Sequence, residues 1–449
     1  MSSWKKVTLE EISESINTGL DAIRRAPIVD FETDIKCLRI QDISQNKPIE
    51  SWGFTEVKNT DYSKFRLMKD DIIMARTCST GICFLAKQDL PAVFNNGLAR
   101  IRLKKDIAYP TYVYYVFKSK SFISYIDGIS GGTSVQLNMK IGDLSKYSFD
   151  LPPLNIQKEI ANKLSDLDKK IQLNTQINQT LEQIAQTIFK SWFIDFDPVH
   201  AKANALASGQ TAEQATQAAM AVISGKNTQE LHRLQTANPE QYQQLWEIAE
   251  AFPSGFSGYK NLGEIPIGWN VLTFKDFISE SKEKIGSLED VPEYSVGNEG
   301  IYPRSEKYNK SLSKTPEKNK VVRIGDLVFG MGSKTLNWGI MNDEIGSVSP
   351  AYFVYRIFTN INYIYLNKYI KAKEYDFQNL IKPTSRQGQS VDKEMFLKKE
   401  IYVPNEYLLN IYLNKLKEID SLVYSYTTEV LILEQIRDEL LPKLLSGEI

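Results

Sequence analysis

Cysteine and histidine are scarce in this chain of 449 residues, which has three cysteines (Cys37, Cys78, Cys83) and two histidines (His200, His232). They form no paired metal spacing, and a reducing cytoplasm is the expected compartment. No run of about 18 apolar residues exists, which excludes a transmembrane helix. The N-terminal stretch MSSWKKVTLEEISES lacks the apolar core of a signal peptide. There is no GxxxxGK[ST] phosphate loop, so a P-loop ATPase is excluded. Both histidines lie far from any serine or cysteine constellation. A strong excess of one charge is missing too: the net charge is −1, which argues against a nonspecific polyelectrolyte binder.

What is present is enough apolar material for packed cores, 42% of the residues. The length suggests about three compact units. Charge is spread unevenly. Residues 1–150 hold 21 Lys and Arg against 18 Asp and Glu, and residues 266–403 hold 20 against 17. Two slightly basic blocks are thus set between less basic or acidic stretches.

The chain repeats itself. Leu181-Glu182-Gln183-Ile184 returns as Leu433-Glu434-Gln435-Ile436, 252 positions later. At the same offset Pro152 matches Pro404, Asn162-Lys163-Leu164 matches Asn414-Lys415-Leu416, Asp168 matches Asp420 and Thr175 matches Thr427. Such repetition governs how the rest is read. The second copy carries a heptad seam: Leu409, Tyr412, Leu416, Ile419, Val423, Tyr426, Val430, Leu433, Arg437, Leu440 and Leu444, with only Arg437 interrupting the apolar run. The first copy gives Gln157, Ile160, Leu164, Leu167, Ile171, Asn174, Asn178, Leu181, Ala185, Ile188 and Trp192. A stripe alternating by three and four over several heptads predicts a coiled coil. Asn174 and Asn178 either sit inside it and fix its register, or face solvent.

Each helix follows a proline hinge, LPPLN at 151–155 and VPNEY at 403–407, where proline stops a strand and is tolerated at a helix start. About 38 residues at ~1.5 Å each make a rod of roughly 55–60 Å. Paired antiparallel, the two copies would carry a globular block at each end.

The blocks before the helices correspond more weakly. One opens with Trp4-Lys5-Lys6-Val7-Thr8, the other with Trp269-Asn270-Val271-Leu272-Thr273. Each has a strand led by an acid, Asp71-Ile72-Ile73-Met74 and Asp326-Leu327-Val328-Phe329. Each strand runs into a small polar loop, ARTCSTG (75–81) and GMGSKTLNWG (330–339), and a second polar loop precedes each hinge, SGGTSVQLN (130–138) and TSRQGQSV (384–391). Strand-like runs mix with helical patterns, so each block reads as α+β. Between the halves, Thr211-x-x-Gln214 is a capping box, and Asn238 before Pro239 is a helix start. Residues 194–262 therefore read as short connecting helices.

The expected organisation is two mixed α/β blocks, 1–151 and 263–403, a central helix at 152–193, the connector at 194–262 and a C-terminal helix at 404–449, with the two long helices in an antiparallel coiled coil about a pseudo-twofold repeat.

This plan, together with LPPLNIQKEIANKLSDLDKKI, SWFIDFDPV (191–199), GEIPIGW (263–269) and the terminal LPKLLSG, resembles the specificity subunit of type I restriction–modification systems. The resemblance covers essentially the whole chain. It departs from that family's usual Glu-Gln after the hinge, with Ile156-Gln157 and Leu408-Leu409 here, and in a longer, Ala/Gln-rich connector. The resemblance implies a non-catalytic protein whose two blocks each read one half of a bipartite sequence in double-stranded DNA. The helices would set an unread spacer and dock two methyltransferase subunits, which methylate adenine, with motor-nuclease subunits completing the complex. The chain would bind no cofactor itself; S-adenosylmethionine, ATP and Mg²⁺ would serve the partner subunits. Two readers for an asymmetric target and two equal docking surfaces for identical partners explain why the helix is written twice.

Base readout needs Arg or Lys for guanine and Asn or Gln for adenine, on small-residue loops that can approach the groove. In the first block these are Arg76, Thr77, Ser79, Thr80, Thr133, Ser134, Gln136 and Asn138. In the second they are Ser333, Lys334, Thr335, Asn337, Arg386, Gln387, Gln389 and Ser390. The same residues equally serve as plain turns. The 43 Tyr and Phe residues lie mostly in apolar periodic runs and read as core. Two rivals stand beside this reading. An adenine methyltransferase would need an Asn/Asp-Pro-Pro-aromatic loop, and Asn238-Pro239-Glu240-Gln241 only imitates its first half. A coiled-coil adaptor without DNA readout would satisfy the seam but has no need of two different heads.

Overall fold

The computed structural model describes residues 4–77, 79–129, 138–259, 262–297, 300–307, 315–330, 337–377, 380–383 and 389–449. The chain divides into two compact units, Met1–Gln179 with Val423–Ile449, and Thr180–Leu422.

In the first unit, the strand Lys5–Thr8 pairs antiparallel with Ser148–Leu151. It stops where Thr8 caps the short helix Leu9–Ile12 in a reciprocal box with Glu11. The chain then enters a four-stranded antiparallel sheet in the order Ser13–Thr18, Leu98–Leu103, Ile72–Ala75, Cys83–Leu85. The strand Ile72–Ala75 is fully buried. Its alternate residues serve two cores, as the two-residue period of a strand requires. Ile72 and Met74 face Tyr112, Val116, Phe122 and Ile126. Ile73 and Ala75 face Leu38, Trp52 and Phe94, above a second four-stranded sheet.

The second unit repeats the scheme with other residues. Asn270–Thr273 pairs with Glu400–Val403, and Thr273 boxes with Asp276 as Thr8 does with Glu11. Its sheet runs Ile278–Ser281, Phe353–Ile357, Leu327–Phe329, Trp338–Ile340, again wholly antiparallel. Leu327 and Phe329 join one core and Val328 the other. The internal repeat is therefore one of topology as well as of helix sequence.

The acid that leads each of these strands has a defined partner. Asp71 accepts from Arg102 Nε and Nη2 at 2.7 and 2.8 Å. Asp326 accepts from Arg356 Nε and Nη2 at 3.0 and 2.9 Å. Both carboxylates also take a backbone N–H, from Met68 and Arg323 respectively, each at 2.9 Å. Both arginines come from the neighbouring strand of the sheet.

The central helix spans Leu154–Phe193 and the C-terminal helix Glu406–Ser446. Gln157 ties the start of the first to its unit: its amide donates to the carbonyls of Pro152 and Ile107 at 2.8 and 3.0 Å and accepts from Tyr109 N–H at 2.7 Å. Asn405 caps the second through Leu408 N–H at 2.8 Å. Within the first unit the helices run antiparallel, since Asp168 meets Arg437, Asn174 meets Glu429 and Asn178 meets Thr427. Within the second, Phe189, Trp192 and Phe193 pack around Tyr412.

Residues 197–250 form four helices, Asp197–Ala207, Ala212–Ser224, Thr228–Ala237 and Pro239–Glu250. The Thr211–Gln214 box opens the second of them. Ala219, Met220, Leu231, Leu245 and Ala249 give these helices a small core of their own. Lys202 is buried against the end of the last helix and donates to the carbonyls of Ala249 and Phe252 at 3.2 and 2.7 Å. No helix among the described residues is long and apolar enough to cross a membrane.

Candidate nucleic-acid interface

The polar loop after strand Ile72–Ala75 turns back at once. Gly81 N–H donates to Ala75 O at 3.1 Å and Ser79 N–H to Thr77 O at 2.7 Å. Gly81 has φ +88°, a conformation side chains with a Cβ rarely hold. Thr77, Ser79 and Thr80 lie half-buried on this turn.

The second loop comes to meet the first. Thr77 and Asn138 form an antiparallel bridge, and Met139 N–H donates to Arg76 O at 2.9 Å. Two loops far apart in the chain thus share one edge at Arg76, Thr77 and Asn138. Thr133, Ser134 and Gln136 lie outside the described residues.

Arg76 holds this edge together. Its Nε donates to Met139 O at 3.1 Å and its Nη1 to Asn96 O at 3.2 Å. Its own N–H donates to Gly97 O at 2.9 Å. A third segment, the turn Asn95–Gly97, is therefore attached to the two expected loops. Sequence reasoning passed over it, because Asn-Asn-Gly between two strands signals only a turn. Burial lowers the Arg76 guanidinium from its ordinary value, but an arginine remains charged throughout the physiological range.

This geometry makes Arg76 a clamp on two carbonyls. Arg76→Ala is expected to lower stability by about 1.5–3 kcal/mol, the usual worth of hydrogen bonds to a charged group. In the assembled complex it is expected to reduce methylation while leaving the bases selected unchanged. Methylation of cognate and singly substituted sites checks this; a motif relaxed at one base pair would make Arg76 a reader instead.

In the second unit Gly330 N–H donates to Asn337 O at 2.8 Å, closing the first loop at its two ends. Ser333, Lys334, Thr335, Arg386 and Gln387 lie outside the described residues. Gln389 and Ser390 belong to the strand Gln389–Val391, opposite Pro383 and Lys382. Among the described residues nothing joins the two loops of this unit as Thr77 joins Asn138. The turn corresponding to Asn95–Gly97 lies between Ile345–Val348 and Phe353–Ile357 and reads Ser349-Pro350-Ala351-Tyr352.

The expected seam residues line the inner sides of the long helices. Ile160, Leu164, Tyr412 and Leu416 are buried. Leu167, Ile171, Leu181, Ile188, Ile419, Val423, Val430, Leu433 and Leu440 are half-buried. Asn174 is fully buried. It donates to Glu429 at 2.8 Å, and Asn178 donates to Thr427 at 3.0 Å. Of the two readings of these asparagines, the one with both inside the helix pair describes the structure. Among the described residues, no cluster of three or more His, Cys, Asp and Glu is arranged to hold a metal ion.

Comparison with known proteins gives the setting for this edge. The family model for the type I restriction modification DNA specificity domain matches residues 1–183. The type I restriction enzyme HindI specificity subunit of Haemophilus influenzae is 30% identical over an alignment that spans all of both chains. The chain belongs to the type I restriction–modification specificity subunits. It is therefore a non-catalytic DNA-recognition subunit by family. The MjaIX specificity subunit of Methanocaldococcus jannaschii is 35% identical over 130 residues, 29% of each chain. Among solved structures, the S subunit of a type I restriction–modification system from M. genitalium aligns with a TM-score of 0.49 and 14% identity, covering 98% of this chain and 96% of that one. Within this specificity subunit, the edge around Arg76, Thr77 and Asn138 is the candidate contact with DNA.

Proposed function

We propose that this specificity subunit reads a bipartite sequence in double-stranded DNA, with one globular block per half-site. The paired long helices set the unread gap and dock two adenine methyltransferase subunits, to which motor-nuclease subunits are added for restriction. The complex works in the cytoplasm. The chain supplies recognition, while S-adenosylmethionine, ATP and Mg²⁺ are used by its partners. The reading residues are drawn from Thr77, Ser79, Thr80, Thr133, Ser134, Gln136 and Asn138 in the first block, where Arg76 clamps the loops that carry them. In the second they come from Ser333, Lys334, Thr335, Asn337, Arg386, Gln387, Gln389 and Ser390.

One observation carries this reading. The two blocks share a sheet with the same strand order, yet the loops leaving equivalent strands differ: ARTCSTG against GMGSKTLNWG, Asn95-Asn96-Gly97 against Ser349-Pro350-Ala351-Tyr352. A conserved frame with divergent loops is what two readers of different sequences need, since frames position and loops specify. The matching experiment exchanges residues 1–151 for the same block of a relative with another target. One half of the methylated motif is expected to change while the other half and the gap stay. A change in both halves would remove the one-block, one-half assignment.

A further inference from the structure

The turn Asn95–Gly97 is built more rigidly than a connection between two strands requires. Asn95 N–H donates to Leu38 O at 3.2 Å, and Leu98 N–H donates back to Asn95 O at 3.0 Å, closing the turn. Asn95 Oδ1 accepts from Gly97 N–H at 3.2 Å. Below it, Leu20 bridges to Asn95. Gly19 packs so closely that a Cβ there would lie 2.3 Å from Asn95 O. A Cβ on Gly97 would lie 2.9 Å from Ile40 Cδ1. Arg76 then fastens the turn from the side, through Asn96 O and Gly97 O.

Asn95 and Gly97 are thus both explained by the turn. Asn95 occupies its first position, where a side-chain acceptor is favoured, and Gly97 fits where a Cβ would collide. Asn96 is not explained. It stands at the second position, which makes no demand for an amide, and its φ is not positive. Its side chain is exposed and, among the described residues, has no hydrogen-bond partner. Only its carbonyl is used, by Arg76.

We infer that Asn96 is a base-reading residue of the first recognition block, facing an A·T pair. Its amide offers one donor and one acceptor side by side, the complement of adenine N7 and N6 in the major groove. The rigid turn and the Arg76 clamp fix the backbone of Asn96 against the edge that carries Thr77 and Asn138, so the amide is presented from a preorganised base. The inference rests on the proposal that this block contacts DNA, and it adds a residue and a base to it.

The test uses the whole subunit assembled with its methyltransferase partners. Adenine methylomes are recorded for wild type, Asn96→Ala and Asn96→Asp, with binding measured on duplexes substituted one pair at a time. Wild type is expected to discriminate at one adenine-containing position of the first half by roughly 5- to 150-fold, the range for a bidentate contact. Asn96→Ala is expected to reduce this to under about 2-fold with an unchanged unfolding midpoint, because the side chain is exposed and unbonded. Asn96→Asp, an acceptor only, is expected to move the preference toward cytosine at that position. The second half stays as in wild type. An Asn96→Ala motif identical to wild type overturns the inference. So does a uniform loss of binding at every sequence, which marks a contact to the sugar–phosphate backbone and not to a base. A wild-type complex whose motif is not bipartite overturns the underlying proposal, and the inference with it.

Discussion

Asp71→Ala is expected to destabilise the first unit by about 3 kcal/mol, and Asp326→Ala to cost the second about 1 kcal/mol less. The difference follows from what each arginine keeps. The Asp71 and Asp326 side chains are 1% and 2% exposed, while Arg102 and Arg356 are 24% and 34% exposed. Breaking a buried pair from one side strands a charge. Arg102 has no second carboxylate within salt-bridge distance among the described residues. Arg356 also donates to Glu283 at 2.9 Å, and Glu283 in turn binds Arg323 at 2.7 Å. Its guanidinium is raised by Asp326 first and then, against burial, by Glu283. Without Asp326 it therefore remains partnered. Hydrogen exchange checks both variants: Asp71→Ala is expected to lose more protection in Ile72–Ala75 and Leu98–Leu103 than Asp326→Ala loses in Leu327–Phe329 and Phe353–Ile357. Equal losses would mean that the extra carboxylate contributes nothing.

The second large effect belongs to Asp168, where three elements of the first unit meet. Its carboxylate accepts from Tyr115 OH at 2.8 Å, Lys118 Nζ at 3.4 Å and Arg437 Nη1 at 3.0 Å. Burial pushes its pKa up, but Lys118, Tyr115 and Arg437 outweigh burial and hold it below the usual carboxylate value. A carboxyl depressed in the folded state contributes stability that is complete above its unfolded value of about 3.9 and is lost as pH falls through the folded value. Asp168→Asn is thus expected to weaken the helix pair by about 2 kcal/mol at pH 7. The gap to wild type should close as the pH drops below about 4. Exchange of the amides in 423–446 at the two pH values measures this. A gap that persists undiminished in acid would make the loss one of shape and not of charge.

Arg437 shows how far the sequence carried the fold. As a heptad position it interrupts an apolar run; in the structure it joins Lys118 as a cation for Asp168, whose identity across the repeat was visible without its partners. The seam, the proline hinges and the acid-led strands are local patterns, and periodicity exposes them. The partners of those acids are not local. Arg102 follows Asp71 by 31 residues and Arg356 follows Asp326 by 30, and only strand pairing brings them together. The candidate interface divides in the same way. Loop composition pointed to Arg76, Thr77 and Asn138, but not to Arg76 as a clamp on backbone carbonyls, nor to Asn96, because a carbonyl carries no residue identity to read. Two of the four connector helices were legible at their caps, Thr211 and Asn238, where side chain and backbone meet within three residues.

The most direct measurement is the adenine methylome of cells carrying this subunit with its methyltransferase, set against cells lacking only this subunit. The expected result is a bipartite motif with a fixed unread gap, present only when the subunit is present. A continuous motif would contradict reading by two separate blocks. An unchanged methylome from a complex shown to assemble would contradict DNA readout itself and leave the chain a scaffold.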